Sequence, residues 1–274
     1  MTQVNTPFKN ILLIGATGSI GRYILSALLA EPSLTITILR RASPSSSSTA
    51  TPNIRTITIP DTYPTADLTA AFRGQDAIIS CLTTLSTHNQ FRFIDAAIAA
   101  GVRRYVPSEY GLNNMRPDAQ ALNNTFRDKG AVQAYLREKA AEGKIEWMSC
   151  HDGGEYGVGS GEGGLVRIPE ETRNVNVLIS EFVTTQKELL MEIERQLGEK
   201  LAVTEVDGRK RIAEMQAKAK EGDVMAAMGL IEAGFITGRY GGNLEKEGEL
   251  FNDRLGLENH TLEDVVADAL AKLQ

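Results

Sequence analysis

The stretch Ile11-Leu12-Leu13-Ile14-Gly15-Ala16-Thr17-Gly18-Ser19-Ile20-Gly21 decides the fold. Four consecutive apolar residues read as a strand buried on both faces. Three glycines at this spacing, followed by Ile20, Ile24 and Leu28 at helical intervals, read as a tight turn into a helix. Each glycine has its own task. The first permits the turn, the second lets backbone approach a pyrophosphate, and the third lets the helix pack on its strand. The unpaired N–H groups of the first helical turn then favour bound phosphate. The spacing therefore predicts a dinucleotide site built from Gly15, Ala16, Thr17, Gly18, Ser19, Ile20 and Gly21.

Working outward, Leu34 to Leu39 is β-branched and alternating, a second strand about 20 residues downstream. An acidic residue at its tip would hold a ribose 2′-hydroxyl. This strand ends Leu39-Arg40-Arg41 instead, and a guanidinium suits a 2′-phosphate, so Arg40 predicts NADP(H) rather than NAD(H). Ser43 to Pro52 is a polar loop by composition. Further strands are expected at Ile54–Ile59, Ala77–Ser80, Arg104–Val106 and Ile145–Cys150, with helices ending at Gly101 and running from about Phe126 to Ala141. Helices alternating with strands predict an α/β fold: a doubly wound parallel sheet of the Rossmann type.

Asp152 to Gly164 breaks the rhythm, with seven glycines among thirteen residues, and reads as a mobile loop. Beyond it come a strand at Val175–Ile179, a capping-box helix opened by Thr185 and Glu188, and a short strand at Leu201–Val206. A charged helix over Arg209–Lys220, a turn-rich stretch at Gly238–Gly242 and a last helix opened by Thr261 and Asp264 complete the chain. Residues 1–150 are expected to form the cofactor domain. Residues 151–274 are expected to form a smaller α/β substrate lobe, with 175–180 open to joining the main sheet.

Composition narrows the function. A formal net charge of −6 disfavours nucleic acid as partner. No apolar run is long enough to span a bilayer. Two cysteines without a CxxC pair fit a reducing compartment, so a cytoplasmic protein is expected, with nuclear entry left open. His88, His151 and His260 show no metal spacing and read as structural or solvated. Lys129, Val132, Leu136 and Ala140 form one helical stripe. Lys129 therefore faces the sheet near the carboxyl ends of its strands, where a lysine needs water, a counter-charge or a substrate.

The glycine motif, Arg40, the stretch FRFIDAAIAAGVRRYVPSEYG (residues 91–111) and the lysine some twenty residues later resemble the NmrA-like/isoflavone reductase-like family of atypical short-chain dehydrogenases, fungal members above all. The resemblance covers about residues 8–150 and resumes near Glu170. It implies NADPH as hydride source and Lys129, which matches the family's lysine, as the catalytic residue. The expected activity is reduction of a small aromatic or polyketide-like metabolite in fungal secondary metabolism. Tyr135 and Lys139 form a YxxxK string, but Tyr135 lies roughly 9 Å further along the helix and away from the cofactor end. The family's substrate-covering segment is replaced here by the glycine-rich stretch. That keeps two alternatives open: a non-catalytic dinucleotide sensor acting through a protein partner, and a degenerate relative without a pocket.

Overall fold

The computed structural model describes residues 7–42, 54–152, 165–258 and 260–273. Seven strands form one sheet: β1 (Asn10–Ile14), β2 (Thr35–Arg41), β3 (Ile54–Ile59), β4 (Ala77–Ser80), β5 (Arg104–Val106), β6 (Glu146–Asp152) and β7 (Val175–Ile179). Their order is β3-β2-β1-β4-β5-β6-β7, and every neighbouring pair is parallel. The chain starts in the middle at β1 and steps outward to β3. It then returns to the other side of β1 as β4 and steps outward to β7. That reversal opens a crevice at the carboxyl ends of β1 and β4, where doubly wound sheets bind ligands.

Parallel strands need crossover connections, and the helices that supply them cover both faces. On one face, α2 (Thr65–Phe72), α3 (Asn89–Ala100) and α5 (Asn124–Ala141) bring Leu68, Phe72, Phe93, Ile94, Val132 and Leu136 against Leu12, Ile14 and Tyr105. On the other, α1 (Ser19–Leu29) brings Ile24 and Leu28 against Ile11, Leu13, Ile36 and Ile79. Alternate residues of β1 thus enter opposite cores, which is why its sequence is apolar at every position from Ile11 to Ile14.

The amino-terminal rim of the sheet is held by charge. The Asp76 carboxylate accepts the backbone N–H groups of Lys9 and Asn10 at 2.8 and 2.7 Å. Arg104, 1% exposed, donates to Glu146 at 2.7 Å and to Thr172 at 3.0 Å. The guanidinium of Arg103 lies 3.5 Å from the centre of the Phe8 ring.

In the carboxyl-terminal part, the strand expected at 175–179 takes the place in the main sheet that the sequence left open, while the strand expected at 201–206 does not form. β7 pairs with β6 in the main sheet. Leu201–Val206 is not a strand: it is exposed and has no ladder partner among the described residues. Its alternating pattern gives β-propensity, and propensity without a neighbouring edge forms no ladder. Beyond β7 the described elements are helical: α6 (Gln186–Leu197), α7 (Gly208–Lys220), α8 (Val224–Ile236), the short α9 (Asn252–Leu255) and α10 (Leu262–Ala271), beside one 3-10 turn. Both expected capping boxes are present, Thr185 with Glu188 and Thr261 with Asp264. On α6, Leu189 and Leu197 stay exposed instead of facing a core. Met215, Ala226, Leu230 and Ala233 of α7 and α8 pack on Leu112, on Ala119 and Leu122 of α4 (Pro117–Leu122), and on Phe126 of α5. That packing brings the carboxyl-terminal helices beside the segment after β5. Asp152 closes β6, and the Ser43–Pro52 and Gly153–Gly164 segments lie outside the described residues.

Candidate active site

The glycine turn has no spare space. Gly15 takes φ +81°, and a Cβ there would stand 2.5 Å from the carbonyl oxygen of Cys81 on the β4 side. A Cβ on Gly21 would stand 2.1 Å from the Gly15 carbonyl oxygen. So β1, its turn and α1 close to backbone contact, as a pyrophosphate cradle requires. Gly18 caps α1 without a side-chain bond, which leaves the first-turn amides to the crevice.

A cleft of about 460 Å³ opens there. Gly15, Ala16, Thr17, Gly18 and Arg40 line it, joined by Arg41, Asp61, Tyr63, Cys81 and Thr83. Ser19 and Ile20 begin α1 and Gly21 packs beneath Gly15, so these three support the turn from behind. Arg40 reaches the cleft because β2 is the next strand outward from β1 and carries its last residues past the glycine turn. Asp61 and Tyr63 follow β3 and carried no sequence signal of their own. Tyr63 adopts φ +51°, and its carbonyl accepts from Arg92 at 3.2 Å.

Lys129 is not among the residues that line this cleft. Its Nζ donates to the backbone carbonyl of Glu109 at 3.2 Å. The adjacent Gly130 explains how α5 comes so close, since a Cβ there would lie 2.5 Å from the carbonyl oxygen of Asn114. The segment after β5 is tied to the cleft wall as well. Ser108 Oγ donates to the Leu82 carbonyl at 2.7 Å, and the Tyr110 hydroxyl meets Cys81 Sγ at 3.6 Å. Burial pushes the Lys129 ammonium below the ordinary lysine range, and the Glu109 carboxylate opposes that shift. Tyr135 faces elsewhere: its hydroxyl donates to Asp95 on α3 and its ring packs on Phe91. Lys139 pairs with Glu138 and Glu142 on the surface.

Two residues of this region escaped the sequence reading. Glu109 was visible only as part of the PSEYG string, and it is 1% exposed. His151, expected to be an ordinary structural or solvated histidine, is fully buried at the end of β6. Its Nδ1 contacts the carbonyls of Gly111 and Leu112 at 3.1 and 3.2 Å, so Nδ1 carries the proton and Nε2 does not. Burial holds its pKa below the ordinary 6.5. Below pH 6.5 the unfolded chain binds a proton that the native imidazole refuses, so stability falls as pH falls through that window. His151→Asn keeps a donor near the Nδ1 position without a titrating group. Urea unfolding at several pH values should show a shallower acid-side loss in this variant than in the parent, and equal slopes would show that His151 is not neutral in the fold.

The parallel sheet, its reversal between β1 and β4, and the glycine-lined crevice define a Rossmann-type, NAD(P)-binding fold. A sequence model of the NmrA-like family matches residues 7–151, more than half of the chain, and the chain belongs to that family. Among curated relatives, the oxidoreductase aprR of Aspergillus flavus is 29% identical, covering 95% of this chain and 98% of its own length. The oxidoreductase poxI of Penicillium oxalicum is 28% identical over 76% of each chain. Among solved structures, an isoflavone reductase superposes with a TM-score of 0.71 at 19% identity, covering 96% of this chain and 99% of its own. The leucoanthocyanidin reductase–NADPH complex of Vitis vinifera reaches 0.74 at 18% identity with the same coverage. No helix among the described residues is long and apolar enough to cross a membrane.

Proposed function

We propose that this chain is an NADPH-dependent reductase of a small aromatic or polyketide-like metabolite in fungal secondary metabolism. The observation that carries the reading is the placement of Lys129. Its ammonium is anchored on Glu109, one residue from the Tyr110 hydroxyl that touches the cleft wall at Cys81. NADPH supplies a hydride. The glycine turn fits the pyrophosphate because its backbone is bare where a Cβ would intrude, and Arg40 lines the cleft where a 2′-phosphate would need a cation. Lys129 acts as the acid, holding a proton for the carbon or oxygen that gains negative charge as the substrate is reduced. The names of the relatives agree with this chemistry: oxidoreductases among fungi, isoflavone and leucoanthocyanidin reductases among solved structures. Cys81 and Cys150 form no disulfide among the described residues, which agrees with a reducing compartment. The direct test is NADPH consumption against a panel of aromatic enones and lignan-like compounds.

A second reading, a dinucleotide sensor that works through a protein partner, has one observation in its favour. The alignment with aprR spans 297 positions, more than the 274 residues of this chain, so that relative carries residues this one lacks. Tight NADPH binding with no turnover across the panel would select it.

The cofactor assignment has its own check. Calorimetric titration should show NADPH binding more tightly than NADH. Arg40→Ala should cut that preference by about tenfold or more, the value of a charge-assisted hydrogen bond to phosphate. An unchanged ratio would remove Arg40 from the site.

A further inference from the structure

Glu109 is a buried carboxylate with few partners. One oxygen accepts from Asn114 Nδ2 at 2.6 Å, and the other has no hydrogen-bond partner among the described residues. A carboxylate in such a place needs cations nearby to offset its lost hydration. Three side chains feel its charge: Lys129 and Arg137 from α5, and His151 from β6. Of these, Lys129 also bonds the backbone of Glu109. His151 makes no hydrogen bond to the carboxylate among the described residues. It holds the next turn of the same segment through the Gly111 and Leu112 carbonyls.

We propose that Glu109 is a positioning residue for Lys129: its carbonyl takes the ammonium's hydrogen bond, its carboxylate supplies the buried counter-charge, and His151 latches the segment that carries both. The arrangement solves a physical conflict. Burial excludes water and aims the ammonium, but it also weakens the ammonium's hold on its proton. A carboxylate fixed on the same short segment as the hydrogen-bonding carbonyl keeps the charge while the direction stays set. Asn114 holds the carboxylate from one side, and Gln120 Nε2 in turn donates to the Asn114 carbonyl at 2.9 Å. The segment from Glu109 to Asn114 is thereby braced from α4, α5 and β6 together.

In turnover this proposal rests on the reading of Lys129 as the acid, but its central measurement does not. Isotope-edited NMR titration of the lysine Cε signals of the full chain with NADPH bound gives the ionisation midpoint of Lys129, assigned by comparison with Lys129→Arg. Glu109 and His151 face Lys129, Arg137 faces the same carboxylate, and exposed Lys9 and Lys144 serve as controls. Glu109→Gln should lower the Lys129 midpoint by about one pH unit, Glu109→Asp should recover part of the shift, and the control lysines should not move. An unchanged midpoint in folded Glu109→Gln would overturn the proposal. If that variant does not fold, the latch supplies the measurement. His151→Phe should free the segment and raise the midpoint toward that of an exposed lysine, and His151→Asn should restore the parent value. Identical midpoints in the parent and His151→Phe would overturn the proposal equally. Shifted midpoints combined with parental turnover in Lys129→Met would leave Glu109 in this role and remove Lys129 from the chemistry.

Discussion

Lys129→Met should lower kcat by about 10²- to 10⁴-fold, the range that a positioned acid contributes, with NADPH affinity close to the parent's. Methionine has similar length and keeps the apolar stem packed, so the change removes the ammonium and little else. The Glu109 carbonyl loses its donor, a cost of about 1 kcal/mol, and the buried Glu109 carboxylate loses a counter-charge, which adds to that cost unless the carboxyl takes up a proton. Cofactor binding is spared because the cradle around Gly15 and the cleft at Arg40 belong to β1, α1 and β2, across the crevice from α5. Single-turnover rates with a substrate from the panel would check the loss, and calorimetry would check the affinity. A parental rate would retire Lys129 from catalysis. Loss of the rate in Tyr135→Phe alone would move the chemistry to the YxxxK string.

Gly21→Val should abolish NADPH binding and destabilise the protein by about 1–3 kcal/mol, as an overpacked site does. The new side chain would need the space that the Gly15 carbonyl occupies, 2.1 Å from the Cβ position. Backbone offers no rotamer by which to yield. Either α1 lifts from β1 or the turn at Gly15 opens, and both moves spoil the cradle. Gly18→Ala is the milder companion, because its Cβ would approach the same carbonyl only to 3.3 Å. Equal NADPH affinities in Gly21→Val and the parent would mean that the turn does not bind the dinucleotide.

Much of the amino-terminal half was legible because its signals are local. Four apolar residues against a glycine turn mark β1, and the buried runs Ala77–Ser80 and Arg104–Val106 match β4 and β5 residue for residue. A fully buried parallel strand shows itself in sequence because both of its faces must be apolar. Leu201–Val206 shows the limit of this logic, since a strand also needs an edge to pair with, and the edge is supplied from elsewhere in the chain. The helix Val224–Ile236 left no amphipathic stripe to read, because it is apolar almost all round. Lys129 could be placed on the inward face from the spacing of Val132 and Leu136. The significance of Glu109 and His151 could not. His151 matters through carbonyls some forty residues back in the chain, and a carbonyl has no letter in a sequence.

The braced amino-terminal rim, with Asp76 clamping Lys9 and Asn10 and Arg104 sunk between Glu146 and Thr172, has a consequence for how this chain can change. The crevice that Arg40 lines and the segment that Lys129 bonds lie at the opposite ends of the same strands. The residues that brace the lower rim are not among those that line the crevice, and substitutions at well-separated positions without shared partners act nearly independently. Robustness and chemistry are therefore inherited through separate sets of positions. A lineage could harden the lower rim against heat without touching specificity, or rewrite the upper rim for a new metabolite while drawing on the reserve held below.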